Sequence, residues 1–74
     1  MTIIFKGWKP GLQKIMFSHI LKEHFNLSLR AAKTTVDDVL EGKIVHLEVS
    51  TLKQETLEQL SNIGVICEVL ENPQ

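Results

Sequence analysis

The chain is poor in the residues that many small proteins use for stability or chemistry. Among its 74 residues only Cys67 is a cysteine, so an internal disulfide is excluded, and such usage is typical of a reducing compartment. Three scattered histidines, His19, His24 and His46, do not have metal-ligand spacing with that cysteine or with one another. We therefore expect a cytoplasmic protein that holds no metal and no other cofactor.

Charge excess and long apolar runs are missing as well. Eight Lys and Arg residues face nine Asp and Glu residues, for a net charge of −1, whereas a direct nucleic-acid binder needs a basic excess or stripe. No apolar run approaches the ~20 residues that span a bilayer, and residues 1–6 lack the pattern of a signal peptide. We expect a single domain over 1–74, with neither membrane nor nucleic acid as its partner.

The first half of the chain predicts a strand followed by two helices. Residues 3–6 are β-branched and aromatic, as in a strand, and Pro10 suits the start of a helix at about 11–25. Ser28 is a candidate N-cap for a second helix that ends before Gly42. The core-facing stripes of the two helices, at about 100° per residue, are Leu12, Met16, Phe17, Ile20, Leu21 and His24, then Leu29, Ala32, Val36, Val39 and Leu40.

The second half predicts strand, helix and strand. Residues 44–49 alternate between apolar and polar side chains, which indicates a half-buried strand. Thr51 and Gln54 have capping-box spacing, so a third helix is predicted from there to Gly64. Residues 65–70 form the last strand.

This order of elements predicts an α/β two-layer sandwich. A three-stranded, mostly antiparallel sheet would have three helices on one face. The side chains expected to be buried together are Phe17, Ile20, Val36, Leu47, Leu60 and Val69.

Candidate catalytic groups do not converge. His24 lies on a core stripe, where a hydrogen-bonded structural histidine is expected, and His46 points to solvent from its strand. Cys67 shares one face of its strand with Val65 and Val69, so we expect it to face the helices as a buried and inert thiol. No Gly-rich phosphate loop is present. We expect a non-enzymatic protein without a small-molecule substrate.

One departure from simple patterning lies on the outward side of the first two helices. Ile15 stands among Lys14, Ser18, His19 and Lys22, where a core stripe does not explain it. The opening turns of the second helix add Leu29, Arg30 and Lys33. In a helical hairpin these residues would form a basic patch with an apolar centre, suited to an acidic protein surface. The alternative is a set of scattered surface residues.

Residues 27–36, Leu-Ser-Leu-Arg-Ala-Ala-Lys-Thr-Thr-Val, resemble the Leu-x-Leu-Lys-x-Ala-Lys-x-x-Val signature of the C-terminal domain of the bacterial ribosomal stalk protein. Residues 48–50, 60–64 and 67–69 resemble further segments of that domain in the same order, so the similarity covers most of the chain. The resemblance implies a module that binds translational GTPases through its first two helices. Its basic positions fall on Lys14, Lys22, Arg30 and Lys33, and its exposed apolar positions on Ile15 and Leu29.

The chain also departs from that family. Ser28 replaces a glycine of the signature and Ala31 a glutamate, while Ser18 and His19 occupy two positions of the patch. The family's N-terminal dimerisation segment and hinge are absent from the 74 residues, so we expect a stand-alone relative or a structural look-alike.

Two function classes follow. The first is a bacterial cytoplasmic adaptor that binds an acidic protein surface, with a translational GTPase as the candidate partner. The second is an immunity protein or antitoxin that inhibits a cognate toxin by binding it.

Overall fold

A computed structural model describes residues 1–70 and confirms the α/β sandwich. The elements, in chain order, are β1 (Thr2–Trp8), α1 (Lys14–His24), α2 (Leu29–Leu40), β2 (Val45–Glu48), α3 (Gln54–Asn62) and β3 (Val65–Leu70). The strand order is β2-β1-β3, and both pairings are antiparallel. The sheet is thus fully antiparallel where a mostly antiparallel one was expected. Within residues 1–70 no helix has the length and apolar character to cross a membrane.

The core lies between the helices and one face of β1. Ile3 and Phe5 alternate toward the helices and are fully buried. The Phe5 ring makes edge-to-face contacts with Phe17 and Phe25, at centroid distances of 5.4 and 6.2 Å. Because β1 is the central strand, its buried side chains belong to one core that also contains residues of all three helices. That core also contains Ile20, Leu21, Ala32, Val36, Val39, Leu60, Ile63 and Val65.

The first helix begins later than expected. A turn occupies Pro10 and Gly11, with Gly11 in the left-handed region at φ +89°, so α1 starts at Lys14 instead of 11. Its buried side is centred on residues 17, 20 and 21, and this excludes Met16, which is 45% exposed. The prediction that Met16 belongs to the core stripe was therefore wrong.

The second helix begins where the sequence indicated. The Ser28 hydroxyl accepts a hydrogen bond from the Ala31 N–H at 3.1 Å, which confirms the N-cap. Gly42 at φ +87° follows the helix end, also as predicted. Leu29, assigned to the core stripe, is 52% exposed because as the first helical residue it lies beyond the end of the core.

The third helix has a different start from the one proposed. Its N-cap is Lys53 and has no side-chain cap, so the capping box of Thr51 and Gln54 does not form. Gln54 is instead the first helical residue, so Thr51 lies before the N-cap and cannot cap the helix. Gly64 closes the helix at φ +101° as expected, and an added Cβ there would lie 3.3 Å from the Leu12 backbone.

The two outer strands are less buried than the central one. Leu47 on β2 and Val69 on β3, both expected to be buried, are half-buried side chains that pack against the core. An edge strand has a neighbour on one side only, which explains the difference. Phe17, Ile20, Val36 and Leu60 are buried as predicted. The first strand also runs on to Trp8, whose indole N–H donates to the Leu40 carbonyl at 3.3 Å.

Candidate functional site

The connection between α1 and α2 sets the two helices side by side. Asn26 adopts φ +58°, a left-handed conformation that asparagine tolerates better than most residues. The Leu27 N–H then donates to the Leu21 carbonyl at 3.2 Å, which satisfies an acceptor at the end of α1. With Ser28 capping α2 directly afterwards, the chain reverses within four residues, and a groove is left between the outward sides of the two helices.

This helix-hairpin groove has a volume of about 480 Å³. Its lining residues repeat at intervals of three or four, as one side of a helix requires. They are Lys14, Ile15, Ser18, His19 and Lys22 from α1, with Leu29, Lys33, Val36 and Asp37 from α2.

The structure brings together seven of the eight residues proposed from the sequence. Arg30 is exposed on α2 but does not line the groove. Val36 and Asp37 line it and were missed: Val36 had been assigned to the core stripe, and Asp37 was not among the proposed residues. Their spacing from Lys33, three and four residues, was the signal that could have identified them.

The apolar part of the groove is exposed to solvent. Ile15 is 85% exposed and Leu29 is 52% exposed, on opposite walls. Single exposed apolar residues are common on protein surfaces, but here two line one concave surface, one from each helix, and we call this pair the apolar strip. A ligand that covered this strip would remove both side chains from water.

The charges around the strip are predominantly positive. Within residues 1–70, Lys14, Lys22 and Lys33 form no ion pair. His19 lies 3.2 Å from Glu23 (Nε2 to Oε1) in an i, i+4 arrangement. Asp37 is the acidic side chain that lines the groove, on the α2 wall. The surface therefore presents three cations and an apolar strip to whatever approaches.

The other polar groups singled out in the sequence lie apart from the groove. His24 is exposed, contrary to its assignment to the core stripe, although its Nδ1 and the Thr56 hydroxyl share a hydrogen bond of 2.7 Å, as a structural histidine would. His46 is exposed on the sheet, as predicted. Cys67 is half-buried instead of fully buried, and burial raises the pKa of its thiol. In the described part of the chain no group of three His, Cys, Asp or Glu side chains is placed to hold a metal ion.

Comparison with known proteins identifies no relative of this chain. No protein-family model matches the sequence, and neither curated proteins nor solved structures give a significant match.

Proposed function

We propose that the protein is a non-enzymatic, cytoplasmic interaction module that binds an acidic protein surface through the helix-hairpin groove. The candidate partner is a translational GTPase, because residues 27–36 resemble the stalk-protein segment that serves this purpose. The proposal rests chiefly on one observation: lysines that form no ion pair within residues 1–70 line a single concave surface together with exposed apolar side chains.

The lysines and the exposed apolar side chains of the groove have different roles in this proposal. Lys14, Lys22 and Lys33 carry charge that no acidic residue between 1 and 70 neutralises by an ion pair, so they attract an acidic partner over a distance of about one Debye length, roughly 8–10 Å. Ile15 and Leu29 supply the apolar contact that holds the partner after encounter. Arg30, outside the groove, adds to the positive field without contacting the groove's occupant.

The apolar role is tested by Ile15→Ala. If Ile15 is a central anchor, its truncation should weaken binding by about 1–3 kcal/mol, or roughly 5- to 150-fold in Kd, mainly through faster dissociation. The matched control is Ile44→Ala, which removes the same atoms from another exposed isoleucine, 62% exposed and outside the groove. The measurement is surface plasmon resonance against a purified elongation factor. Equal affinities for the two variants would overturn the anchor role.

The electrostatic role is tested by the double variant Lys14→Glu, Lys22→Glu. It should slow association and reduce its dependence on salt, since exposed charges act mainly on the on-rate. The fold should be unaffected because both side chains are exposed. If the double variant associated at the wild-type rate at low salt, the proposal would be contradicted.

Capture of partners from bacterial lysate separates the adaptor from the alternative function. Elongation factors that wild type captures and the Ile15→Ala variant does not would support the adaptor. A single toxin, retained by wild type and lost by the same variant, would replace the GTPase as the partner and make the protein an immunity protein.

A further inference from the structure

A second concave surface lies where α3 passes over β3. This strand-edge groove has a volume of about 490 Å³, within the range of ligand pockets. It is mainly apolar, with one lysine and one serine. Its lining residues are Lys9, Leu57, Ser61, Val65, Ile66, Cys67 and Val69.

The floor of this groove is a free strand edge. β3 pairs with β1 on one side, and within residues 1–70 no strand pairs with its other side. The Gly64 carbonyl accepts from the Lys9 N–H at 2.8 Å, which shows that residue 64 directs its backbone toward β1. Because backbone direction alternates along an antiparallel strand, Val65, Cys67 and Val69 direct their N–H and C=O groups to the free edge.

The same three residues send their side chains into the groove. Val65 is buried, and Cys67 and Val69 are half-buried beneath Leu57 and Ser61 of α3. Unpaired backbone groups and an apolar trough therefore coincide along the same residues. An added strand can use both at once, with main-chain hydrogen bonds to the edge and alternate side chains in the trough.

The charge at one end of the groove selects the direction of such a strand. Lys9 lies beside the beginning of β3 and forms no ion pair within residues 1–70. A peptide antiparallel to β3 would end there with its C-terminus. Its α-carboxylate would then meet the Lys9 ammonium.

We propose that the strand-edge groove binds the C-terminus of an extended peptide, antiparallel to β3, with apolar residues at alternate positions and its carboxylate at Lys9. This site is separate from the helix-hairpin groove. It gives the molecule a second binding surface, of different chemistry from the first.

The probe is acetyl-Lys-Ser-Val-Thr-Val-Thr-Val with a free C-terminal carboxylate, titrated into the isotope-labelled full chain. Its three valines are placed to oppose Val69, Cys67 and Val65 in that order. By NMR, hydrogen exchange at the amides of those three residues should slow on binding, because each gains an acceptor. The amides that already face β1, those of Ile66 and Glu68, should change little.

Two pairs of peptides test the geometry. N-methylation of the middle valine, whose N–H faces β3, should abolish binding, whereas N-methylation of the threonine next to it should leave binding intact. The C-terminal amide should bind about two- to fivefold more weakly than the acid, the worth of an exposed ion pair. In Lys9→Ala the acid and the amide should bind equally.

The proposal is overturned if the two N-methylated peptides bind alike, or if the peptide leaves exchange at the three amides unchanged. It is also overturned if the chain alone self-associates at these concentrations with the same amides protected, since the edge would then serve a second copy of the chain. Ile15→Ala should bind the probe as wild type does, because Ile15 lies in the helix-hairpin groove. A refutation of the proposed function of that groove therefore leaves the test of the strand-edge groove unaffected.

Discussion

Replacement of Leu60 by alanine tests how the two layers are held together. Leu60 is fully buried on α3, in the core that also contains Phe17 and Val36 of the other helices. The substitution removes three carbon atoms from a site closed on all sides, so the cost combines lost transfer free energy with a residual cavity. For large-to-small changes of this kind the loss is about 2–5 kcal/mol.

The expected loss for Leu60→Ala is a large part of the total free energy of unfolding. A chain of 74 residues is expected to have a free energy of unfolding of about 4–11 kcal/mol, from about 0.05–0.15 kcal/mol per residue. A cost near 3 kcal/mol would lower the melting temperature by roughly 12–24 °C, at about 4–8 °C per kcal/mol for a domain of this size.

The assay is urea unfolding followed by the fluorescence of Trp8, the single tryptophan, which is held against the end of α2. The matched control is Leu29→Ala, which removes the same atoms from a half-exposed helical position and should change stability by less than about 0.5 kcal/mol. A loss below about 1 kcal/mol for Leu60→Ala would refute the inference that α3 closes the core.

Two further predictions concern single groups. Ser28→Ala removes the acceptor of the Ala31 N–H and should cost about 0.5–2 kcal/mol in urea unfolding, and an unchanged midpoint would show that the cap contributes nothing. Cys67 should react with a thiol reagent more slowly in the native chain than in urea, with its rate profile displaced to higher pH, because burial raises the pKa of the thiol and the thiolate is the reactive form. Equal rates in the two states would contradict its placement under α3.

Local periodicity was enough to predict the order of elements. Period 3.6 marks the helices and period two marks β2, whereas β1 was assigned from its β-branched and aromatic residues. The inward positions of β3, Val65, Cys67 and Val69, match its observed burial. Ser28 was predictable as a cap because serine, unlike the leucines on either side of it, can accept from the backbone of the next turn.

Helix starts were less predictable, for a physical reason. Thr51 and Gln54 satisfy a capping motif in sequence, but that motif forms only if the chain reaches helical geometry directly after the threonine. Leu52 packs against the core instead, and the helix begins two residues after it, at Gln54. Packing of a single apolar side chain thus overrode a local hydrogen-bonding preference.

The groove between the helices was predictable in part. Ile15 stood out because an isoleucine between lysines has no place on a core stripe. Arg30 was included from its nearness in sequence, yet one helical position turns a side chain by about 100°, which was enough to direct it away from the groove. The strand-edge groove gave no signal, because it depends on which strand is at the edge, and that is a property of the topology.

Exposure of apolar side chains alone does not single out the helix-hairpin groove. The open face of the sheet also exposes apolar residues, among them Ile66 and Leu70. On that face, however, Lys6 forms an ion pair with Glu68, and the Thr2 hydroxyl donates to the Glu48 carboxylate at 2.7 Å. The lysine of that face is neutralised by Glu68, whereas the lysines of the groove have no such partners within residues 1–70. Because an acidic partner gains most from cations that are not already neutralised, the groove is the surface to which we assign it.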